Sequence, residues 1–316
     1  MGRISAVIAG RNRGDKLKKV VDSLRSCGEI EEIIYVDTGS SEEELKKINA
    51  QMENLEKVKI IKGVSTNPQN GRNLGADIAA NEYILFIDDD AVISGNCLGE
   101  ALDFLDRHEI IGAVGFPTYY LTNKGKELLC SYYLLTPFYT TRCVKSYEEN
   151  NFIGVMSLNN AYLARKHAFQ EAGRWDEMFF IQYDETDLLL RFLRHGYKIA
   201  FYGKTYIIDL SYNEYRGDSI IPEVGLTRNE LGPRNSILSA FKNFSILGLI
   251  FFLPLFFVGN FFYSVRVKKT KYFFKGLRAF FKLMPYIREY RKSQTYSFLK
   301  DLGLYARLQF ARPFED

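Results

Sequence analysis

The first 120 residues alternate short apolar runs with segments of helical spacing, and this constrains the fold more than any other feature of the chain. Residues 4–9 are an apolar run closed by Gly10, and residues 15–26 carry Leu17, Val20, Val21 and Leu24 on one helical face. Further strands are expected at 32–36, 58–61, 83–87 and 112–116. Helices are expected at 42–52, 70–80 and 98–105, with Ser41 and Glu44 spaced as a capping box before the first of them. Such alternation demands right-handed βαβ crossovers, hence an α/β fold with a mainly parallel central sheet flanked by helices. These sheets bind ligands beyond the carboxyl ends of their strands. Two of the expected strands end in aspartate, Val36 into Asp37 and Ile87 into Asp88, so both carboxylates should reach one edge.

The second of these strands runs into Asp88-Asp89-Asp90. Three adjacent acids repel one another and need a cation or strong hydrogen bonding. A diphosphate leaving group gains negative charge as a glycosidic bond breaks, and a hard divalent cation held by few carboxylates neutralises it. Taken alone, the run fits a solvated turn equally well, because aspartate is common in turns. Asp184, Glu185 and Asp187 form a second acidic cluster at the start of an expected helix. The helix dipole alone favours acids there. The same cluster could supply the base that takes a proton from an acceptor hydroxyl.

Five segments in order carry a resemblance. They are Val36-Asp37-Thr38-Gly39-Ser40-Ser41, Asn70-Gly71-Arg72-Asn73-Leu74-Gly75, Tyr83 through Asp90, Gly173-Arg174-Trp175-Asp176-Glu177-Met178-Phe179-Phe180, and Tyr183-Asp184-Glu185-Thr186-Asp187-Leu188 with Arg191 and Gly196-Tyr197. On these the chain resembles family 2 inverting glycosyltransferases of the GT-A fold over nearly all of residues 1–240, in a rhamnosyltransferase-like branch of bacteria and archaea. The resemblance implies that Ala9, Arg11, Asp37, Gly39, Arg72, Asn73, Asp88 and Asp89 meet a nucleotide-diphosphate sugar. It implies Asp90 and Asp88 as ligands of Mg2+ or Mn2+, and Trp175, Asp176 and Asn160 as acceptor contacts. The family's usual Glu-Asp pair falls on Asp184-Glu185 in reversed order, which makes Glu185 the expected base and Asp187 the second choice. Asp209 stands where relatives often carry a histidine that completes the metal site, and a carboxylate can replace imidazole around either ion. Arg234-Asn235 resembles a late donor-side pair, or a solvated helix start.

The remaining expectations concern the ends of the chain. Cys27, Cys97, Cys130 and Cys143 show no C-x-x-C spacing, so neither a zinc site nor a disulfide framework is expected, and free thiols fit a reducing cytoplasm. The strand pattern begins almost at Met1, so no secretory leader is expected. Net charge is +4, but residues 264–292 hold ten basic residues against one acid, leaving the body mildly acidic. Residues 243–265 carry no charge and are long enough to cross a bilayer, which needs about 20 apolar residues. One crossing would part the basic tail from the catalytic side, and no second apolar run returns the chain. The expectation is a helical membrane-associating region (241–316) lying on the cytoplasmic face of the cell membrane, with its lysines against anionic headgroups. It would follow a catalytic domain (1–240) whose nucleotide-sugar half is 1–120 and whose acceptor half is 121–240. The alternative is a buried hairpin closing the domain. The acceptor would be a lipid-linked or polysaccharide glycan, and no nucleic-acid partner is expected because no base-reading module is present. Two other functions fit less of the sequence. A sugar nucleotidyltransferase should have a Gly-rich basic loop after the first strand, which Ala9-Gly10-Arg11-Asn12-Arg13-Gly14 matches in part. A non-catalytic membrane scaffold would not need the retained acids.

Overall fold

The computed structural model describes residues 4–53, 55–145, 153–154, 160–212, 219–307 and 312–313. The first half runs β1 (Ile4–Gly10), α1 (Gly14–Arg25), β2 (Ile30–Asp37), α2 (Glu42–Met52), β3 (Val58–Lys62), α3 (Pro68–Ile78), β4 (Tyr83–Ile87), β5 (Ala91–Gly95), α4 (Gly99–Arg107) and β6 (Ile111–Gly115). Then come β7 (Thr118–Thr122), β8 (Gly125–Cys130), β9 (Tyr132–Leu135), β10 (Thr141–Val144), β11 (Ile153–Gly154), β12 (Ala161–Arg165), α5 (Lys166–Glu171), α6 (Asp184–Arg194), β13 (Lys198–Phe201) and β14 (Thr205–Asp209). A hairpin of β15 (Ile220–Ile221) and β16 (Leu226–Thr227) leads into α7 (Arg228–Asn243). The chain closes with α8 (Ile246–Arg266), α9 (Thr270–Phe281), α10 (Met284–Lys292), α11 (Phe298–Arg307) and β17 (Arg312–Pro313).

The main sheet has nine strands in the order β17-β11-β13-β6-β12-β4-β1-β2-β3. Strands β3, β2, β1 and β4 are parallel, as the βαβ alternation requires. Strand β12 lies antiparallel between β4 and β6. It is buried at every position, so it lacks the polar alternation that marks a strand, and α5 begins directly after it. A second sheet, β5-β14-β7-β8, carries the chain from the triple aspartate to Asp209.

Helix α3 shows how the fold presents its polar residues. Its glycines let it lie directly on the sheet: a Cβ at Gly75 would fall 2.4 Å from Val7 Cγ1, and one at Gly71 would fall 2.6 Å from Thr38 Cγ2. That approach brings Arg72 and Asn73 of the same helix to the carboxyl edge of the sheet.

The expectation about the cysteines needs correction. Cys130 and Cys143, at the end of β8 and within β10, form a disulfide with their Cα atoms 5.6 Å apart, leaving Cys27 and Cys97 as free thiols. A spacing of thirteen residues gave no sign of a pairing that the turn between two hairpins creates. The C-terminal helices pack against the rest of the chain. Leu249, Phe256, Phe280, Ile287 and Leu304 share one core cluster with Leu135, Phe179, Leu190 and Ile237. The opposite face of α8 looks outward: Ile246, Leu247, Ile250, Phe251, Val258 and Phe262 are exposed.

Candidate functional site

The carboxyl ends of β1 and β4 open onto a cavity of about 530 Å³. Ala9, Arg11, Arg72, Asp88, Asp89, Asp90, Asn160, Asp184 and Glu185 line it, so the two acidic clusters face one another across a single space. Each carboxylate is fixed by its own neighbours. The Asp89 side chain lies over the end of β1, where only a glycine leaves room (a Cβ at Gly10 would meet Asp89 Oδ2 at 2.5 Å), and accepts from the Arg11 amide at 3.3 Å. Asp88 donates its amide to the Asn160 carbonyl. Asp90 is buried, with Arg13 Nη2 at 3.7 Å. Asp209 lies beside it, since the Leu210 amide donates to the Asp90 carbonyl, and its carboxylate accepts from Asn160 Nδ2 at 3.1 Å and the Ser211 amide at 2.8 Å.

This packing is electrically costly. Burial, then repulsion from Asp90, pushes Asp89 up to about 7. Burial pushes Asp88 up to about 6 despite the Arg72 guanidinium beside it, with Asp90 adding repulsion. Asp209 is raised too, first by burial and then, against the Ser211 amide that lowers it, by Asp90. A divalent cation would offset these costs, and an all-oxygen donor set with no thiol or imidazole suits Mg2+ or Mn2+. Among the described residues, the ligand-type trio whose donor atoms all lie within 4.8 Å of one another is Cys27, Glu29 and Cys97, before β2 and after β5; the aspartates form no such closed trio. An ion held by Asp88 and Asp90, a small number of carboxylates, would keep open positions for phosphate oxygens.

Arg72 joins the two clusters. Its Nη2 donates to Asp88 Oδ1 at 2.5 Å, and its Nη1 lies 3.5 Å from Asp184 Oδ2. Gln69, one helical turn earlier, accepts from Arg72 at 2.9 Å and donates to Asp184 at 2.6 Å. Asp184 is therefore held, and Glu185 lines the cavity beside it. Burial, then the charge of Asp184, holds the Glu185 carboxyl well above the usual range. Gln69 had no motif to mark it; its signal was only the i, i+3 spacing to Arg72 after an Asn67-Pro68 helix start.

The loop that delivers Asp184 and Glu185 is strained. Phe180, Gln182 and Tyr183 all have left-handed φ, at 64°, 66° and 61°. Asn235 holds it: its Nδ2 donates to the carbonyls of Phe179, Ile181 and Gln182 at 2.9, 2.7 and 2.8 Å. Arg234 donates to the Met178 and Phe179 carbonyls. Both side chains are buried in α7, so Arg234-Asn235 is not a solvated helix start, and neither residue lines the cavity. The pair braces the loop beneath Glu185.

Other expected residues lie behind the cavity. Asp37 accepts from the amides of Gly39 and Ser40 and shapes its own turn, in which Gly39 has φ +100°. Asn73 exchanges hydrogen bonds at 3.0 Å with the backbone of Trp175. Trp175 is 4% exposed and packs edge-on against Phe86, while Arg72 sits 4.7 Å over its ring. The ring does not line the cavity; it supports the arginine. Asp176 and Asp187 belong to a buried ionic network around Lys242 and likewise do not line it. Asn160, expected at the acceptor, lies between Asp88 and Asp209.

Residues 5–167, just over half of the chain, match the family described as Glycosyl transferase family 2. No curated protein sequence matches the chain. Among solved structures it is similar to S. aureus TarS 1-349 in complex with UDP-GlcNAc, with 16% identity, 96% of this chain and 89% of that one covered, and a TM-score of 0.58. It is also similar to GalNAc-T7 with UDP, GalNAc and Mn2+, with 15% identity, 68% of this chain covered and a TM-score of 0.59. The chain spans only 43% of that second structure. At these identities the likeness is one of fold, the mixed α/β GT-A arrangement.

Proposed function

The chain belongs to glycosyl transferase family 2, and from that premise we propose that it moves a sugar, with inversion, from a nucleotide-diphosphate sugar to a lipid-linked or polysaccharide acceptor. The observation that carries this reading is the single cavity in which Asp88, Asp89 and Asp90 face Glu185. Asp90 and Asp88 would hold a divalent cation, with Asp209 beside them, and that cation neutralises charge growing on the departing diphosphate. Arg11, Arg72 and the Ala9 backbone line the donor side, and Asp37 shapes the loop beside the nucleotide. Glu185 takes the acceptor proton, and its raised proton affinity suits that task. Asp184, locked by Gln69 and Arg72, orients its neighbour.

The outward face of α8 and the basic residues of α9 support association with an anionic membrane surface on the side where nucleotide sugars are made. The helix is long and apolar enough to span, with a mean hydropathy of 2.1 and 22% of its apolar window buried. Its packing against the catalytic core favours lying along the surface.

A melting experiment tests the donor half. UDP is the first probe, because the similar structures are solved with it. UDP with Mn2+ should raise the melting temperature by several degrees, and neither alone should do so fully, since bound ligand stabilises by mass action. Asp90→Ala should lose the Mn2+-dependent part. If Asp90→Ala keeps the full shift, the metal assignment is wrong.

A further inference from the structure

Glu185 faces a second cavity. It has a volume of about 540 Å³ and meets the donor cavity at Tyr133, Gln182, Glu185 and Arg228. Its far wall comes from the C-terminal helices. In α8, an otherwise apolar helix, the uncharged polar side chains are Asn260, Tyr263 and Ser264, and all three line this cavity. Asn260 and Ser264 are buried, at 9% and 5% exposure, while the opposite face of α8 is bare hydrocarbon. Asn260 Nδ2 donates to the carbonyls of Phe138 and Phe256, and Ser264 Oγ to that of Phe261, so α8 keeps its satisfied polar groups on the face that lines the cavity.

The charges are also sorted. Among the described residues, Glu185 is the one acid lining the space, and Arg228 and Lys269 are its cations. Lys268, with φ +56°, turns the chain between α8 and α9 and sets Lys269 at the rim, where its Nζ donates to Asn229 Oδ1 at 2.6 Å. The wall is rigid: a Cβ at Gly276 would lie 2.5 Å from the Glu230 carbonyl, so α9 sits directly on α7. Tyr263 stands half in solvent at the mouth beside the exposed Phe262. The space thus runs from a base, past two cations, to an apolar surface.

Resting on the donor reading above, we infer that this cavity receives the acceptor as a phosphate-bearing lipid. The acceptor hydroxyl lies at Glu185, the phosphate between Arg228 and Lys269, and the hydrocarbon leaves along the outer face of α8. In the transfer, the acceptor oxygen bonds to the anomeric carbon, the bond from that carbon to the diphosphate breaks, the hydroxyl proton passes to Glu185, and the nucleoside diphosphate departs with the electron pair. The C-terminal helices are then part of the acceptor site as well as a membrane contact.

Equilibrium binding to the full chain in non-ionic detergent tests this, with dodecyl phosphate as the probe and dodecanol and inorganic phosphate as controls. Dodecyl phosphate should bind at least about tenfold more tightly than either control, because tail and charge are both read. Lys269→Ala should weaken it about tenfold, while Lys300→Ala, an exposed lysine outside the cavity, should not. UDP with Mn2+ should bind Lys269→Ala as it binds the unaltered chain. Equal binding of dodecanol would reduce the site to an apolar surface, equal binding of inorganic phosphate would remove the lipid, and equal losses in the two lysine variants would make the attraction diffuse; each overturns the inference. If UDP binds and dodecyl phosphate does not, the inference alone fails. If UDP does not bind, the donor reading fails first.

Discussion

Glu185→Gln is expected to lower transfer about a thousandfold while leaving the fold and UDP binding intact, the scale on which general bases act. The substitution keeps the shape of the side chain and removes its proton affinity. Asp184 offers no ready substitute, because Gln69 and Arg72 already occupy its carboxylate. The pH dependence has a definite sign. Burial and the Asp184 charge raise the Glu185 carboxyl, and only the deprotonated form accepts a proton, so activity is lost as pH falls through that raised value. The acid limb should vanish in the residual activity of Glu185→Gln. Rate measurements against pH on both proteins, with circular dichroism as the control for folding, decide the matter. Full activity in the variant would remove Glu185 from the chemistry.

Lys242→Met is expected to cost about 3–5 kcal/mol of stability, the range for breaking a buried ion pair from one side. Lys242 is 1% exposed. Its Nζ donates to Asp176 and, at 2.9 Å, to Asp187, while Arg191 and Asn243 also donate to Asp187 and Tyr286 donates to Asp176. The network ties the loop under the site (Asp176), the helix that carries Glu185 (Asp187, Arg191) and the C-terminal helices (Tyr286) into one unit. Methionine fills the volume but leaves two buried carboxylates short of positive charge. Denaturant unfolding should show the loss in the midpoint; a change below about 1 kcal/mol would mean that water compensates the acids and the network is not the brace described.

The parts of the fold that were legible in the sequence are those written in local periodicity. The βαβ alternation, the run of Tyr83–Ile87 into three aspartates and the acidic start of α6 follow from short windows. Strand β12 carries no period, because both its faces are buried. Site residues set by contacts across a hundred positions had no local sign. Trp175 is clamped by Asn73, 102 residues away, and reads as a ligand-stacking ring only while its neighbours are unknown. Asp187 and Asp176 look like site acids until Lys242 is placed between them. Arg234 and Asn235 are polar enough to suggest solvent, yet they serve the carbonyls of a strained loop, for which burial with full hydrogen bonding is the remedy. By composition, residues 243–265 are an uncharged, mainly apolar run; that their polar residues turn inward emerges only once α8 is packed against the loop around Phe138, whose carbonyl accepts from Asn260.

The most direct test of the central claim is a panel of nucleotide sugars offered to the unaltered protein and to Asp90→Ala, with and without Mn2+, reading release of nucleoside diphosphate in the presence of membrane lipid extract. One nucleotide sugar should be turned over by the unaltered protein only when the cation is present, and Asp90→Ala should fall to background with it. Turnover that is indifferent to both the cation and Asp90 would contradict a site in which the triple aspartate clamps the leaving diphosphate.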